Sequence, residues 1–310
     1  LVLGSRGATG PAVLCAAIAS IQNPPLVLLA VFEGVRPWLG ANPPARPRWA
    51  DLLAALLAVA ASPLFFLAEF STVNLAAYET AGTHAFGVGK GLGLLFDLDL
   101  GLVRYAPLLV VLWLALVAIA LAVRGPARRL EGALAAVVVL MMLACSATGN
   151  WNHGTTGPSR YVVWMVPLMM SVMALGPIAT RLLAVPRRGY AIAVVLAVAA
   201  QIAVATHRGG VLSPLDYLDH SRLARAVLDR YPAMYRSPEE VFRERTGHTE
   251  VDLDGPFVYE HDGRCRKALA RWKHADALIA RCGSLPESVR PFFESHPTRD
   301  DKGRWVYVDY

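Results

Sequence analysis

The chain has 310 residues, 55% of them hydrophobic and only 17% charged, with a mean hydropathy of +0.41. An ordinary soluble domain carries about 25% charged residues, so the composition argues against one. Residues 1–206 hold 13 Lys and Arg against 7 Asp and Glu, and residues 207–310 hold 17 against 17; the basic excess is spread between apolar segments, which excludes nucleic-acid binding.

In chain order, the first residue is Leu1 rather than Met, with no basic-then-apolar leader and cleavage site after it. The sequence therefore reads as the C-terminal part of a longer protein. Crossing a bilayer takes about 20 mostly apolar residues. Uncharged runs of that size predict spans near 10–35, 52–68, 105–123, 132–148, 161–180 and 189–206. The first is expected to be broken at Gln22-Asn23-Pro24-Pro25, because tandem proline removes backbone donors and disfavours helix in the residue before it. The fold class expected is an all-α polytopic membrane bundle of about six helices, the first broken. A small α+β extracytoplasmic domain follows, with the boundary at 206/207.

Orientation follows from the bias of Lys and Arg toward cytoplasmic loops. One set of loops carries Arg36, Arg46, Arg48, Arg124, Arg128, Arg129, Arg181, Arg187 and Arg188. The opposite set carries Arg6, Lys90, Arg104 and Arg160. The richer set is assigned to the cytoplasm, which puts loops 69–104 and 149–160 and the tail 207–310 outside. The location expected is a bacterial cytoplasmic (inner) membrane.

Two outside loops combine groups suited to membrane chemistry. In the first, 79–107, Gly87-Val88-Gly89-Lys90-Gly91 is not a phosphate loop, since Gly91 stands where Ser or Thr should follow the lysine. Asp97-Leu98-Asp99 has the D-x-D spacing that holds a divalent ion on a sugar nucleotide. The spacing is short and common, so the pair reads first as loop carboxylates near the interface, and no cofactor is expected. In the second loop, Trp151 offers a flat amphipathic face, and Asn150, Asn152 and His153 offer hydrogen bonds to sugar hydroxyls. Arg160 opens a span, at the depth of a lipid phosphate that a guanidinium grips in two places. The plain alternative is a polar turn with an arginine anchor at the interface.

The tail alternates turns with helical patterns. Ser213-Pro214 and Ser237-Pro238-Glu239-Glu240 read as helix starts with a capping serine. Phe257-Val258-Tyr259 and Trp305-Val306-Tyr307-Val308 read as strands, and a helix is expected around Arg264–Arg281. Its histidines (His207, His220, His248, His261, His274, His296) show no i,i+4 pair and are taken as solvated. Cys15 and Cys145 fall in apolar runs. Cys265 and Cys282 lie in the tail, where a disulfide, two free thiols or a zinc site with His261 and His274 are the alternatives. The H-x3-C and H-x7-C spacings match no common zinc pattern, so the disulfide is expected.

The run Gly93-Leu94-Leu95-Phe96-Asp97-Leu98-Asp99-Leu100-Gly101 through Arg104-Tyr105-Ala106-Pro107 resembles a segment of bacterial polytopic glycosyltransferases of the GT-C type. The later Asn150-Trp151-Asn152-His153-Gly154 through Gly157-Pro158-Ser159-Arg160-Tyr161 is similar to their "W-x-G-G…G-(P)-R-Y" loop. His153 and Gly154 stand where two glycines are usual, and Ser159 intervenes before Arg160. The resemblance covers about residues 1–206 and leaves the tail unmatched. It implies sugar transfer from a polyprenyl-phosphate donor to an acceptor at the outer face of the membrane. The main catalytic acid would lie upstream of Leu1, so no catalytic residue is assigned here. Arg160, with Arg104 or Lys90, would hold the lipid phosphate. The alternative is a non-enzymatic membrane protein, a transporter, flippase or assembly component whose tail binds a partner.

Overall fold

A computed structural model of the chain describes residues 8–39, 46–72, 87–122, 126–146, 151, 158–175, 199, 216–250, 254–295 and 304–310. By compactness the chain divides into two units. One comprises Leu1–Gly91, Ala106–Thr148 and Tyr161–Ala203; the other comprises Leu92–Tyr105, Gly149–Arg160 and Val204–Tyr310.

The described helices up to residue 175 are α1 Thr9–Gln22, α2 Val27–Val35, α3 Trp49–Phe70, α4 Val88–Phe96, α5 Leu102–Tyr105, α6 Pro107–Ala122, α7 Pro126–Ser146 and α8 Arg160–Leu175. A 3-10 turn at Pro24–Leu26 separates α1 from α2, so the break falls at the tandem proline. In the first unit, Val13, Ala16 and Ala17 of α1 pack against Ala30 of α2 and Ala55 of α3, small side chains that let the helices approach closely. Here α6 packs on α7, and so does α2. Glu33 is completely buried in α2 and pairs with Arg36 Nη1 at 3.2 Å.

The expectation of about six spans is not met. Among the described residues two helices are long and apolar enough to cross a membrane, Trp49–Phe70 and Arg129–Ser146. For the first expected span the reason is length. At 1.5 Å per residue, the 14 residues of α1 reach only about 21 Å, short of roughly 30 Å of hydrocarbon. Apolar composition alone does not distinguish such helices from spans. The run expected at 189–206 lies outside the described residues, apart from residue 199.

In the second unit, the tail continues with α9 Arg222–Arg230, α10 Glu239–Gly247, β1 Phe257–His261, β2 Arg264–Arg271, α11 Ala275–Cys282, α12 Arg290–Glu294 and β3 Trp305–Asp309. The strands form an antiparallel sheet in the order β1-β2-β3. Alternation along the strands sends their side chains to two cores. Val258, Ala268, Ala270 and Val308 meet Leu278, Leu285 and Phe293 on one face. Phe257 and Leu269 meet Ala224, Leu228, Tyr235 and Phe242 on the other.

The helix expected around Arg264–Arg281 begins later. Asp262 and Gly263 both have positive φ, 52° and 70°, the backbone of a two-residue hairpin turn whose twist matches paired strands. That turn pairs His261 with Arg264 and commits residues 264–271 to β2. Helix resumes at Ala275. Cys265 on β2 and Cys282 at the end of α11 form a disulfide, with Cα atoms 5.7 Å apart.

A buried carboxylate centre as candidate functional site

The centre forms where α4 stops. Asp97 Oδ1 accepts the N–H groups of Asp99 and Leu100, each at 2.8 Å, a side chain standing in for the next turn of backbone. The chain then folds back so tightly that a side chain at Gly101 would strike the backbone N and O of Asp97 and come within 2.9 Å of the Leu95 carbonyl. Only glycine fits there. This turn presents both carboxylates to the tail.

Asp97 Oδ2 accepts the Ser237 hydroxyl at 2.6 Å. Asp99 Oδ1 accepts the Ser221 N–H at 2.6 Å. Asp99 Oδ2 accepts the Tyr235 hydroxyl at 2.6 Å and lies 2.9 Å from His220 Nδ1. His220 Nε2 lies 3.0 Å from the Thr246 hydroxyl, and the Arg245 guanidinium stands 3.7 Å from Asp99 Oδ1. The Ser221 hydroxyl acts twice, capping α9 at Ala224 N–H and donating to the Leu98 carbonyl at 2.7 Å. The rings of Tyr235, Phe242 and Tyr259 surround His220. Asp99 and Tyr235 are sealed from solvent, and Asp97 is 7% exposed.

Burial acts on both carboxyls in the direction of the neutral form, yet they part company. Asp97 is raised by burial and then by the charge of Asp99, against weaker pull from Ser237 and the two N–H groups. For Asp99, burial is outweighed by the His220 hydrogen bond and charge, Arg245 and the Ser221 N–H, and the carboxyl titrates well below its ordinary range. Tyr235 is held as the phenol, first by burial and then by both aspartates.

Arg104 lies one step from this centre. Its Nη1 donates to the Asp99 carbonyl at 2.6 Å, the Tyr105 hydroxyl donates to the same oxygen at 3.2 Å, and the guanidinium sits 5.1 Å from the Tyr105 ring. Arg104 Nε is buried with no hydrogen-bond partner among the described residues.

The residues singled out in the sequence are placed unequally. Asp97 is buried in the centre, not displayed at an interface, and it and Asp99 face protein donors. Trp151 is buried as well, 2% exposed, with its backbone N–H donating to Glu240 Oε2 at 2.6 Å. Lys90 is half-buried on α4. Arg160 is the first residue of α8, its side chain outside what the structure describes; Asn150, Asn152 and His153 lie outside the described residues, as do Ser213-Pro214, His207 and His296. Ser237 does not cap α10; its hydroxyl is taken by Asp97. Two histidines depart from the solvated expectation, His220 inside the centre and His274 buried against Asp254. Sequence reasoning missed His220, Ser221, Tyr235 and Arg245. Their only local signal is a serine ahead of a helical run.

No family model, no curated protein and no solved structure matches this chain.

Proposed function

We propose that this chain works in a membrane glycosyltransferase that moves a sugar from a polyprenyl-phosphate donor to an acceptor at the outer face of the cytoplasmic membrane. One observation carries the reading. The greater part of the two segments that bear the resemblance, far apart in sequence, falls in one compact unit, within Leu92–Tyr105 and Gly149–Arg160. The Ser159 N–H donates to the Leu100 carbonyl at 3.1 Å, and the Trp151 ring comes within 3.9 Å of the space beside Gly93. Arg104 and Arg160 thereby belong to one body, as a shared phosphate contact requires.

A second feature supports a membrane setting. The 22-residue α3 is about 33 Å long, and Leu53, Leu56, Leu57, Leu64 and Phe65 are exposed along it. Lipid tails are the natural cover for so long an apolar surface.

In the reaction an acceptor hydroxyl attacks the anomeric carbon, the bond from that carbon to the phosphate oxygen breaks, and the lipid phosphate leaves with its charge. A general base takes the hydroxyl proton. The guanidinium groups of Arg104 and Arg160 stabilise the charge on the departing phosphate.

The intact protein reconstituted in vesicles tests this by binding. It should retain polyprenyl phosphate over neutral polyprenol, and Arg160→Ala should lose that preference while inserting normally. Equal retention of both lipids would overturn the reading. The non-enzymatic alternative draws on the burial of Asp97 and Asp99, since carboxylates consumed by protein donors are unavailable to substrate.

A further inference from the structure

We propose that His220 and Tyr235 are positioning residues for Arg104, so that the tail sets the guanidinium edge facing the lipid phosphate; the inference rests on the function proposed above. Helix α5 is a single turn of four residues, too short to hold its own geometry, so Arg104 must be fixed from elsewhere. Its Nη1 is pinned to the Asp99 carbonyl. On the opposite edge, Nε is buried with no hydrogen-bond partner among the described residues. A planar pair of N–H groups with one side already anchored is the arrangement that grips two phosphate oxygens at once.

The Asp99 carbonyl is therefore the fulcrum, and the tail holds it still. The Asp99 and Leu100 N–H groups are tied to Asp97 Oδ1. The Asp99 carboxylate is gripped by Ser221 N–H, Tyr235 OH and His220 Nδ1. Neither Tyr235 nor His220 is in reach of solvent or ligand, at 1% and 5% exposure. Their effect on phosphate passes through Asp99 to Arg104. In this view the tail is part of the phosphate site's framework.

The test uses the intact protein in vesicles with Tyr235→Phe, His220→Ala and His220→Asn. Tyr235→Phe keeps the ring and deletes one donor, and asparagine keeps an N–H near the place of Nδ1. Two readouts are taken, the KM for the polyprenyl-phosphate sugar and the rate at which phenylglyoxal labels Arg104, mapped by mass spectrometry. Tyr235→Phe and His220→Ala should each raise the donor KM at least fivefold, leave the acceptor KM unchanged, and speed labelling of Arg104. His220→Asn should return both readouts toward wild type. Protection of wild-type Arg104 by polyprenyl phosphate and by inorganic phosphate alike would assign the contact to the phosphate group itself. Protection by the lipid alone would add the chain as a determinant. Unchanged donor KM and unchanged labelling in folded Tyr235→Phe would overturn the positioning role. A wild-type protein that transfers no sugar, with Arg104 labelling still responding to the two variants, would sink the function reading and leave the positioning intact.

Discussion

Asp97 and Asp99 stand two residues apart and respond oppositely to the same burial. Asp99 accepts donors on both oxygens with Arg245 nearby, so Asp99→Asn turns an N–H toward groups that themselves donate. Breaking a buried charged contact of this kind costs about 3–5 kcal/mol, and thermal unfolding of the purified variant should report it. Asp97→Asn keeps an oxygen for the Asp99 and Leu100 N–H groups and offers Ser237 an N–H that its hydroxyl can accept. It should be tolerated.

The pH dependence separates the two. The carboxyl of Asp99 is depressed, so its stabilisation is full above the ordinary value of 3.8 and is lost as pH falls through the depressed one. The carboxyl of Asp97 is raised by burial and by Asp99, so ionising it costs stability as pH rises from 3.8 through the raised value. Asp97→Asn should therefore melt above wild type near neutral pH, with the gap closing toward about pH 3. A gap that widens on acidification would reverse the assignment.

At the scale of elements, the hairpin and the disulfide fix the tail's sheet. Gly263 at φ +70° has a conformation that a side chain strains, and Gly263→Val should cost roughly 1–2 kcal/mol in chemical denaturation. The Cys265–Cys282 bridge closes a 17-residue separation between β2 and α11. Removing it with a double serine variant should cost about 2–4 kcal/mol, and equal denaturation midpoints for the variant and wild type would count against that.

Much of this was legible locally. The strands at Phe257 and Trp305, the broken first helix and the cysteine pair each follow from a short run of residues. The β2 segment was not. Arg264-Cys265-Arg266-Lys267-Ala268 has helix-forming composition, and its strand depends on a turn with two positive φ angles and on cores that bury Ala268, Leu269 and Ala270 from both faces. The capping of α10 failed for the same reason, since Ser237 found a better acceptor in Asp97, remote in sequence.

For the whole molecule, hydropathy proved a poor ruler. It registers how apolar a segment is, whereas crossing a bilayer depends on unbroken helical length, and the 14-residue α1 is short by several residues. The carboxylate centre was illegible because its members come from residues 97–99 and 220–246, and no spacing rule joins them. What the sequence did offer was the Gly93–Pro107 run, whose aspartates anchor the loop to the tail while Arg104 Nε is left without a hydrogen bond among the described residues.

The most direct test of the function is transfer of a radiolabelled sugar from its polyprenyl phosphate by the intact protein in vesicles, comparing wild type with Arg104→Ala. Removal of a preorganised charge-stabilising donor lowers turnover by about 10²–10³. The account predicts clear transfer by wild type and a loss of that order in the variant, with membrane insertion unchanged. Transfer at the wild-type rate by Arg104→Ala would contradict it.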